Sequence, residues 1–578
     1  MKRTLLVASL AAASQLALAT VQYKVTAAVG QPLSVSMNFE ANDNPVLHLP
    51  NWAPGSYNLK EDWRTVKELK VVDASGKAIE AKRDGNAWSI PAKKGTKLTV
   101  TYQQGGALQE DGTHFSGPGT YLYIEGRTQE ASTVSFALPA GWSAELGIVP
   151  KNGVYAARSY DELADNPVSI GVLTTDKFRA ANTNYVIVYR GSKQMVDQLD
   201  RPFVIDQCRS IAEAQCKFFG GSPNQKYVFH FMLSGSQDGG WGLEHLSSTT
   251  IGLATGLGKG TIGVVSHEHF HLWNVKRIRS FVLGPFDYTK LPQTGALWWL
   301  EGVTDYYAHV FLARSGFYTE EDLYNQILRN YNAVMANAAH TTVSPYESSF
   351  RVGEANNGRG NSSGYQISYY QLGLLAGLIL DTELREVTKG KYSLDDVERD
   401  LFQQTKDWKP GFAEDGIRKT LVKYGGAALG QMYDEIIMKP GDPRIPQALD
   451  KLGLELADAT ETNGVLGFMG NVVPGTGVVV DRVIPPSPDL QAKDVIVSMN
   501  GKSLVSPNFR QGLANFRAAW NKKAPGTIIS MEVKTGDQVR TVSWKLGVPS
   551  SSTSARIIRR KANATPEQVK RLEAWLKG

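Results

Sequence analysis

VVSHEHFHLWNVKRIR, residues 264–279, carries the spacing from which the rest of the chain is read. His267 and His271 stand four apart, so on a helix they lie about 40° apart in rotation and about one turn apart in height. That geometry lets two imidazoles reach one metal ion. Glu268 lies about 100° round from His267, at the edge of the same face, where its carboxylate can hold and deprotonate a metal-bound water. His269, about 200° round, points away into packing or a hydrogen bond.

Two histidines need a third ligand. In GALWWLEGVTDYYAHVFLA, residues 295–313, Glu301 is a lone acid on an aromatic and aliphatic helix. A carboxylate buried on such a face needs a partner, and one zinc ion per chain, held by His267 and His271, would be that partner. Two histidines and a glutamate leave the fourth zinc position open, the arrangement of a catalytic rather than a structural site. Asp305, one turn beyond Glu301, either orients a ligating histidine from behind or is an ordinary helix-surface carboxylate. Zinc lowers the pKa of its water toward ~7 and polarises a carbonyl, while Glu268 takes the proton and passes it to the leaving amine. The implied reaction is amide hydrolysis.

The surrounding chain is large enough to position such a site. Its 578 residues exceed what one core usually organises, and 42% hydrophobic against 20% charged residues exclude wholesale disorder. Lys+Arg of 62 against Asp+Glu of 56 leaves a charge of +6, spread thinly, so there is no electrostatic case for a nucleic-acid ligand. The opening MKRTLLVASLAAASQLALAT reads as a signal peptide, residues 1–19, with cleavage after Ala19 and export to the periplasm or the cell exterior. No other stretch is long and apolar enough to span a membrane. Cys208 and Cys216 share a helical segment, about 12 Å apart at Cα, too far for a disulfide, so two packed free thiols are expected.

The periodicity changes along the chain. Alternation as in PLSVSMNF and KLTVTY predicts an antiparallel β-sandwich over 20–172. From about 200 the period becomes 3.6, which makes 173–447 the mainly helical catalytic domain, with a cap at Thr319 and a long apolar helix from Ser368. Short strands return in GTGVVVDRVI and KDVIVSMNG over 448–548. Residues 549–578 hold a Ser-rich linker and a last helix capped by Thr565 and Gln568. The fold class expected is multidomain α+β.

Several segments resemble the PDZ-containing glycyl aminopeptidases, metallopeptidase family 61 of the gluzincin group. They are NWAPGSY at 51–57, GWGLEHLSS at 240–248, HEHFHLWNVKRIR at 267–279, LGPFDYTK at 283–290, LWWLEGVTDYY at 297–307 and SYYQLGLLAGLILD at 368–381. The resemblance implies a thermolysin-like catalytic domain, zinc on His267, His271 and Glu301, and Glu268 as the base. Related gluzincin aminopeptidases bind the substrate amine with the glutamate of a GxMEN strand, which implies Glu244 here. Its alternative is an exposed strand-end acid. They also steady the oxyanion with a tyrosine before a Lys-Gly pair. Tyr370 aligns with it, although Leu372 replaces the lysine and leaves neighbouring Tyr369 as the other candidate. The C-terminal region is similar to a PDZ domain, with Leu466, Gly467 and Phe468 as the loop that takes a peptide's C-terminal carboxylate. Lys493 stands where bacterial PDZ domains usually carry glycine.

Lys276, Arg277 and Arg279 could meet a substrate carboxylate, but helix-end or surface pairing is the favoured reading. The function expected is a secreted zinc aminopeptidase that acts after small N-terminal residues, glycine or alanine, of peptide substrates. The competing readings are a zinc endopeptidase served by the PDZ domain and a non-catalytic peptide-binding scaffold. The intact Glu268 argues against the scaffold, because a bracing zinc needs no base.

Overall fold

The computed structural model describes residues 20–56, 59–233, 240–253, 259–351, 367–407, 409–458, 464–507, 509–521, 523–547 and 556–578. The leader expected at 1–19 lies outside them.

The N-terminal unit is β-rich. Its largest sheet has seven strands in the order Val154–Ala157, Ser132–Ala137, Val21–Thr26, Leu33–Glu40, Lys97–Gln104, Lys67–Asp73, Ala78–Ile79. Alternate residues are buried along Val21–Thr26 and Leu33–Glu40, as their period-two pattern requires. Four- and three-stranded sheets complete the unit around a core that includes Val35, Met37, Val100, Tyr121 and Ile170. One expectation fails: Val21–Thr26 pairs parallel, not antiparallel, with Ser132–Ala137. Strand direction leaves no trace in alternation, and no short turn joins these two strands to force the antiparallel choice.

The central body opens with a sheet that the helical period conceals. Its five strands run Thr174–Ala180, Thr183–Arg190, Lys226–Leu233, Ser248–Leu253, Trp241–Glu244. The middle three are parallel and the two edges antiparallel. Ser248–Leu253 is buried at every position, so it shows no alternation to read. Against this sheet lie the helices Arg201–Phe219 and Lys259–Phe270. Asp200 caps the first through Phe203 N at 3.1 Å, and Gly220 ends it in the left-handed conformation. Cys208 and Cys216 on this helix are free and buried.

Two further segments complete the surroundings of the site. A π-helical turn, Trp298–Val303, runs into the Thr304–Arg314 helix. The apolar Tyr369–Val387 helix crosses the π turn where Gly302 meets Gly373. A Cβ on Gly373 would come within 1.9 Å of the Trp298 carbonyl, and one on Gly302 within 2.4 Å of Gly373 Cα. Bare backbone is therefore required at this crossing, which brings the start of the Tyr369–Val387 helix beside Glu301.

The last strand unit is inserted into the body. Strands Phe468–Val473, Gly477–Val483, Val495–Met499, Ile528–Thr535 and Gln538–Lys545 form a sheet in that order. With the Phe509–Trp520 helix they enclose a separate core that includes Val478, Ile496, Met531 and Leu546. The residues on either side return to the central core: helix Ile445–Lys451, strand Leu454–Asp458, its antiparallel partner Arg556–Arg560, and helix Pro566–Lys577. The boundary expected at 447/448 thus cuts through a helix of the body. Trp575, fully buried, ties the last helix down by donating from Nε1 to Tyr306 Oη at 2.7 Å.

Candidate active site

His267 lies in the last turn of the Lys259–Phe270 helix, and the His271 amide still donates to the His267 carbonyl at 3.2 Å. The two Nε2 atoms are 2.9 Å apart. Glu301 Oε2, from the π turn, stands 3.3 Å from His267 Nε2 and 3.1 Å from His271 Nε2. All three side chains are buried.

The opposite ring nitrogens decide what this cluster can hold. His267 Nδ1 lies 2.7 Å from Asp305 Oδ1, and His271 Nδ1 lies 2.6 Å from the Asn274 carbonyl oxygen. Both partners only accept, so each neutral imidazole carries its proton on Nδ1 and turns a bare Nε2 lone pair toward Glu301. In that neutral form two lone pairs and a carboxylate oxygen converge, and without a cation the carboxylates of Asp305 and Glu301, working against burial, draw the imidazoles toward the protonated form instead. That arrangement calls for a cation, and a His-His-Glu donor set suits zinc. Glu244, Glu268 and His271 also approach one another closely. A cation placed there would leave the His267 lone pair and Glu301 unsatisfied, so the first group is the better fit.

Glu268 is buried beside the cluster, and among the described residues Oε2 has no hydrogen-bond partner. The edge strand Trp241–Glu244 presses on it at Gly242, where a Cβ would fall 2.2 Å from Glu268 Oε1. Burial pushes the Glu268 carboxyl up to about 7, against the pull of His267 and His271 and with help from Glu244 and Glu301. Glu244, at the end of the same strand, is buried too.

Tyr370 stands in the first turn of the Tyr369–Val387 helix, which Ser368 caps by accepting from Tyr370 N at 3.2 Å. Its ring lies over His267, 6.0 Å between centroids. Burial, then the charge of Glu301, raises its phenol well above the ordinary value, so it keeps its proton as a donor. Tyr369 stacks against Tyr370 at 4.8 Å. His269 points away, between Tyr185 Oη at 3.1 Å and Gln215 Oε1 at 2.7 Å. Leu466, Gly467 and Phe468 belong to the inserted unit and do not join the cluster. There, the Leu466 and Gly467 carbonyls accept from Trp544 Nε1 at 2.5 Å and Ile484 N at 2.7 Å.

The basic run departs from its surface reading. Arg277 does serve the helix end, donating to the Leu272 carbonyl at 2.6 Å. Lys276 instead is buried, 3.1 Å from Asp165 Oδ1 and 3.9 Å from Glu244 Oε1. Asn274 and Asp165 were not marked by any sequence pattern. The first acts through its backbone carbonyl, and the second comes from the other unit. A cavity of about 340 Å³ between the two units reaches Glu244, with Pro54, Gly55, Lys276, Arg279 and Phe286 in its walls.

Comparison with known proteins accords with this geometry. The model of the M61 glycyl aminopeptidase family matches residues 260–376, and that of the M61 N-terminal domain matches 20–172. A search of curated proteins finds no match. An aminopeptidase N family protein from Idiomarina loihiensis, 23% identical, aligns over 96% of this chain and 100% of its own, with a TM-score of 0.72, and shares the fold. An M1 zinc metallopeptidase from Deinococcus radiodurans is 14% identical over 74% of this chain and 96% of its own, with a TM-score of 0.45. Yeast LTA4 hydrolase is 12% identical over 75% and 70%, with a TM-score of 0.47.

The class defined is that of a zinc-dependent aminopeptidase. Within it, residues 20–172 and 260–376 match the two domain models of the M61 peptidase family.

Proposed function

We propose that this chain is an exported aminopeptidase that releases small first residues, glycine or alanine, from peptides with a free N-terminus. The observation that carries the reading is the buried Glu244 carboxylate beside Glu268 and the His-His-Glu donors. An anion at that distance suits a terminal ammonium and disfavours blocked or internal bonds. The preference for a small first residue is supported by the glycyl description of the family alone.

His267, His271 and Glu301 would hold the zinc, which when bound supplies a Lewis acid that activates water and polarises the scissile carbonyl. Asp305 and the Asn274 carbonyl keep both histidines in the Nδ1–H tautomer. Glu268 takes the proton of the attacking water and returns it to the leaving amine nitrogen. The Tyr370 hydroxyl donates a hydrogen bond to the oxygen that gains negative charge. Glu244 holds the ammonium and so sets which bond faces Glu268.

The charged start and apolar run of residues 1–19 support export. The inserted unit, the part of 448–548 that follows strand Leu454–Asp458, is read as a PDZ domain. In it Phe468–Val473 is an edge strand open to an added peptide strand, with Leu466–Phe468 at its head for the C-terminal carboxylate. One experiment tests the reading: a panel of aminoacyl anilides, with and without an N-acetyl cap, assayed before and after chelation and zinc return. Fast turnover of free-amine glycyl and alanyl substrates, lost on chelation and restored by zinc, is expected. Equal rates for capped and free substrates would overturn it.

A further inference from the structure

Glu244 sits at the end of an edge strand, where the ladder fixes it from one side only. Its ammonium-binding geometry needs another source of rigidity. Asp165, which ends the short helix Tyr160–Ala164 of the N-terminal unit, supplies one. Its Oδ1 accepts from His245 Nδ1 at 3.0 Å and Lys276 Nζ at 3.1 Å, and its Oδ2 accepts from Leu246 N at 3.0 Å. One carboxylate therefore holds the two residues that follow Glu244 and the lysine beside it.

Lys276 completes the arrangement. Its ammonium is 3.9 Å from Glu244 Oε1, the one ion pair that Glu244 makes among the described residues. The Asp165, Lys276 and Glu244 side chains are 7%, 5% and 6% exposed, so their charges interact with little screening. Lys276 satisfies Asp165 closely and Glu244 only partly. Glu244 is thereby fixed without being neutralised, and keeps the capacity to attract a second ammonium. From the other side the loop at Gly55, also of the N-terminal unit, lies so close that a Cβ there would meet both Glu244 oxygens at 2.7 Å.

We infer that Lys276 and Asp165 are positioning residues for recognition of the free substrate amine, so that the N-terminal unit sets the geometry of a site on the central body. The inference rests on the reading of Glu244 given above. The pairing of Lys276 with Asp165 spans the two units.

The test is a double-mutant cycle on the full-length, zinc-loaded enzyme, with alanyl anilide as substrate and zinc content as control. Lys276→Gln should raise KM about 10- to 100-fold, the usual range for losing a charged contact, with kcat changed by no more than about threefold. Lys276→Arg should restore part of the loss. Glu244→Ala should raise KM by itself, and Lys276→Gln should add nothing on that background. Should a single variant fail to fold, the paired Lys276→Gln, Asp165→Asn protein removes both charges without stranding a buried ion, and its KM decides. An unchanged KM in Lys276→Gln, beside a raised KM in Glu244→Ala, would overturn the inference while leaving Glu244 as the amine site. Additive effects in the cycle would overturn it as well. An unchanged KM in Glu244→Ala would remove the amine site, and the inference with it.

Discussion

Asp305 Oδ1 stands 2.7 Å from His267 Nδ1, on the side of the ring opposite the Nε2 that faces Glu301. The contact fixes the tautomer and the ring plane together, and its partner on His271 is a main-chain carbonyl that no side-chain change removes. Zinc affinity therefore depends on a side chain at only one of the two histidines. Asp305→Ala should weaken zinc binding about 10- to 100-fold, measured by competition with a chromophoric chelator. Activity should return as free zinc is raised.

Glu268 lies beside the His267, His271 and Glu301 donors, and among the described residues its Oε2 has no hydrogen-bond partner. Glu268→Gln should keep stoichiometric zinc and lose turnover by about 10²- to 10⁴-fold, the range that general acid–base groups contribute. Metal analysis beside anilide hydrolysis checks both halves. Retained turnover would remove the base from the mechanism.

Tyr370 stacks with both His267 and Tyr369. Removing the hydroxyl in Tyr370→Phe should lower kcat about 10²- to 10³-fold and leave KM close to its original value. Tyr369→Phe should have the smaller effect. Steady-state kinetics of the two variants assign the oxyanion donor.

Trp575 seals the body at the end of the chain, fully buried and hydrogen-bonded to Tyr306. Trp575→Ala should cost about 3–5 kcal/mol, the range for truncating a buried large aromatic. Denaturant unfolding followed by tryptophan fluorescence measures the loss, and a variant of unchanged stability would show that the last helix is dispensable.

The site is more legible in the sequence than the scaffold around it. A four-residue spacing of histidines and a lone acid on an aromatic helix are local facts, and local geometry turns them into converging donors. Asp305 follows from the same helix one turn on. Lys276 misleads, because a lysine in a basic run looks solvated until Asp165 arrives from another unit to pay for its burial. The central sheet is obscured for a different reason: residues 227–231 of Lys226–Leu233 and all of Ser248–Leu253 are buried without a break, so no alternation marks them as strands. The parallel pair in the N-terminal unit and the return of Arg556–Arg560 to Leu454–Asp458 are long-range pairings, which no short window of sequence contains.

The return of that strand has a consequence for how the molecule is put together. Asp458 and Arg556 are register partners at the open end of a two-stranded ladder, so the inserted unit leaves and re-enters the body at one point. To the body, the whole unit takes the place of a hairpin turn. A segment attached in this way can be lengthened or exchanged while the ladder below it stays paired, at the cost of the contacts that Arg517 and Asn521 make with Asp322 and Glu321 of the Glu320–Ala336 helix. The catalytic architecture and the accessory unit are thus joined covalently through a single doorway in the chain.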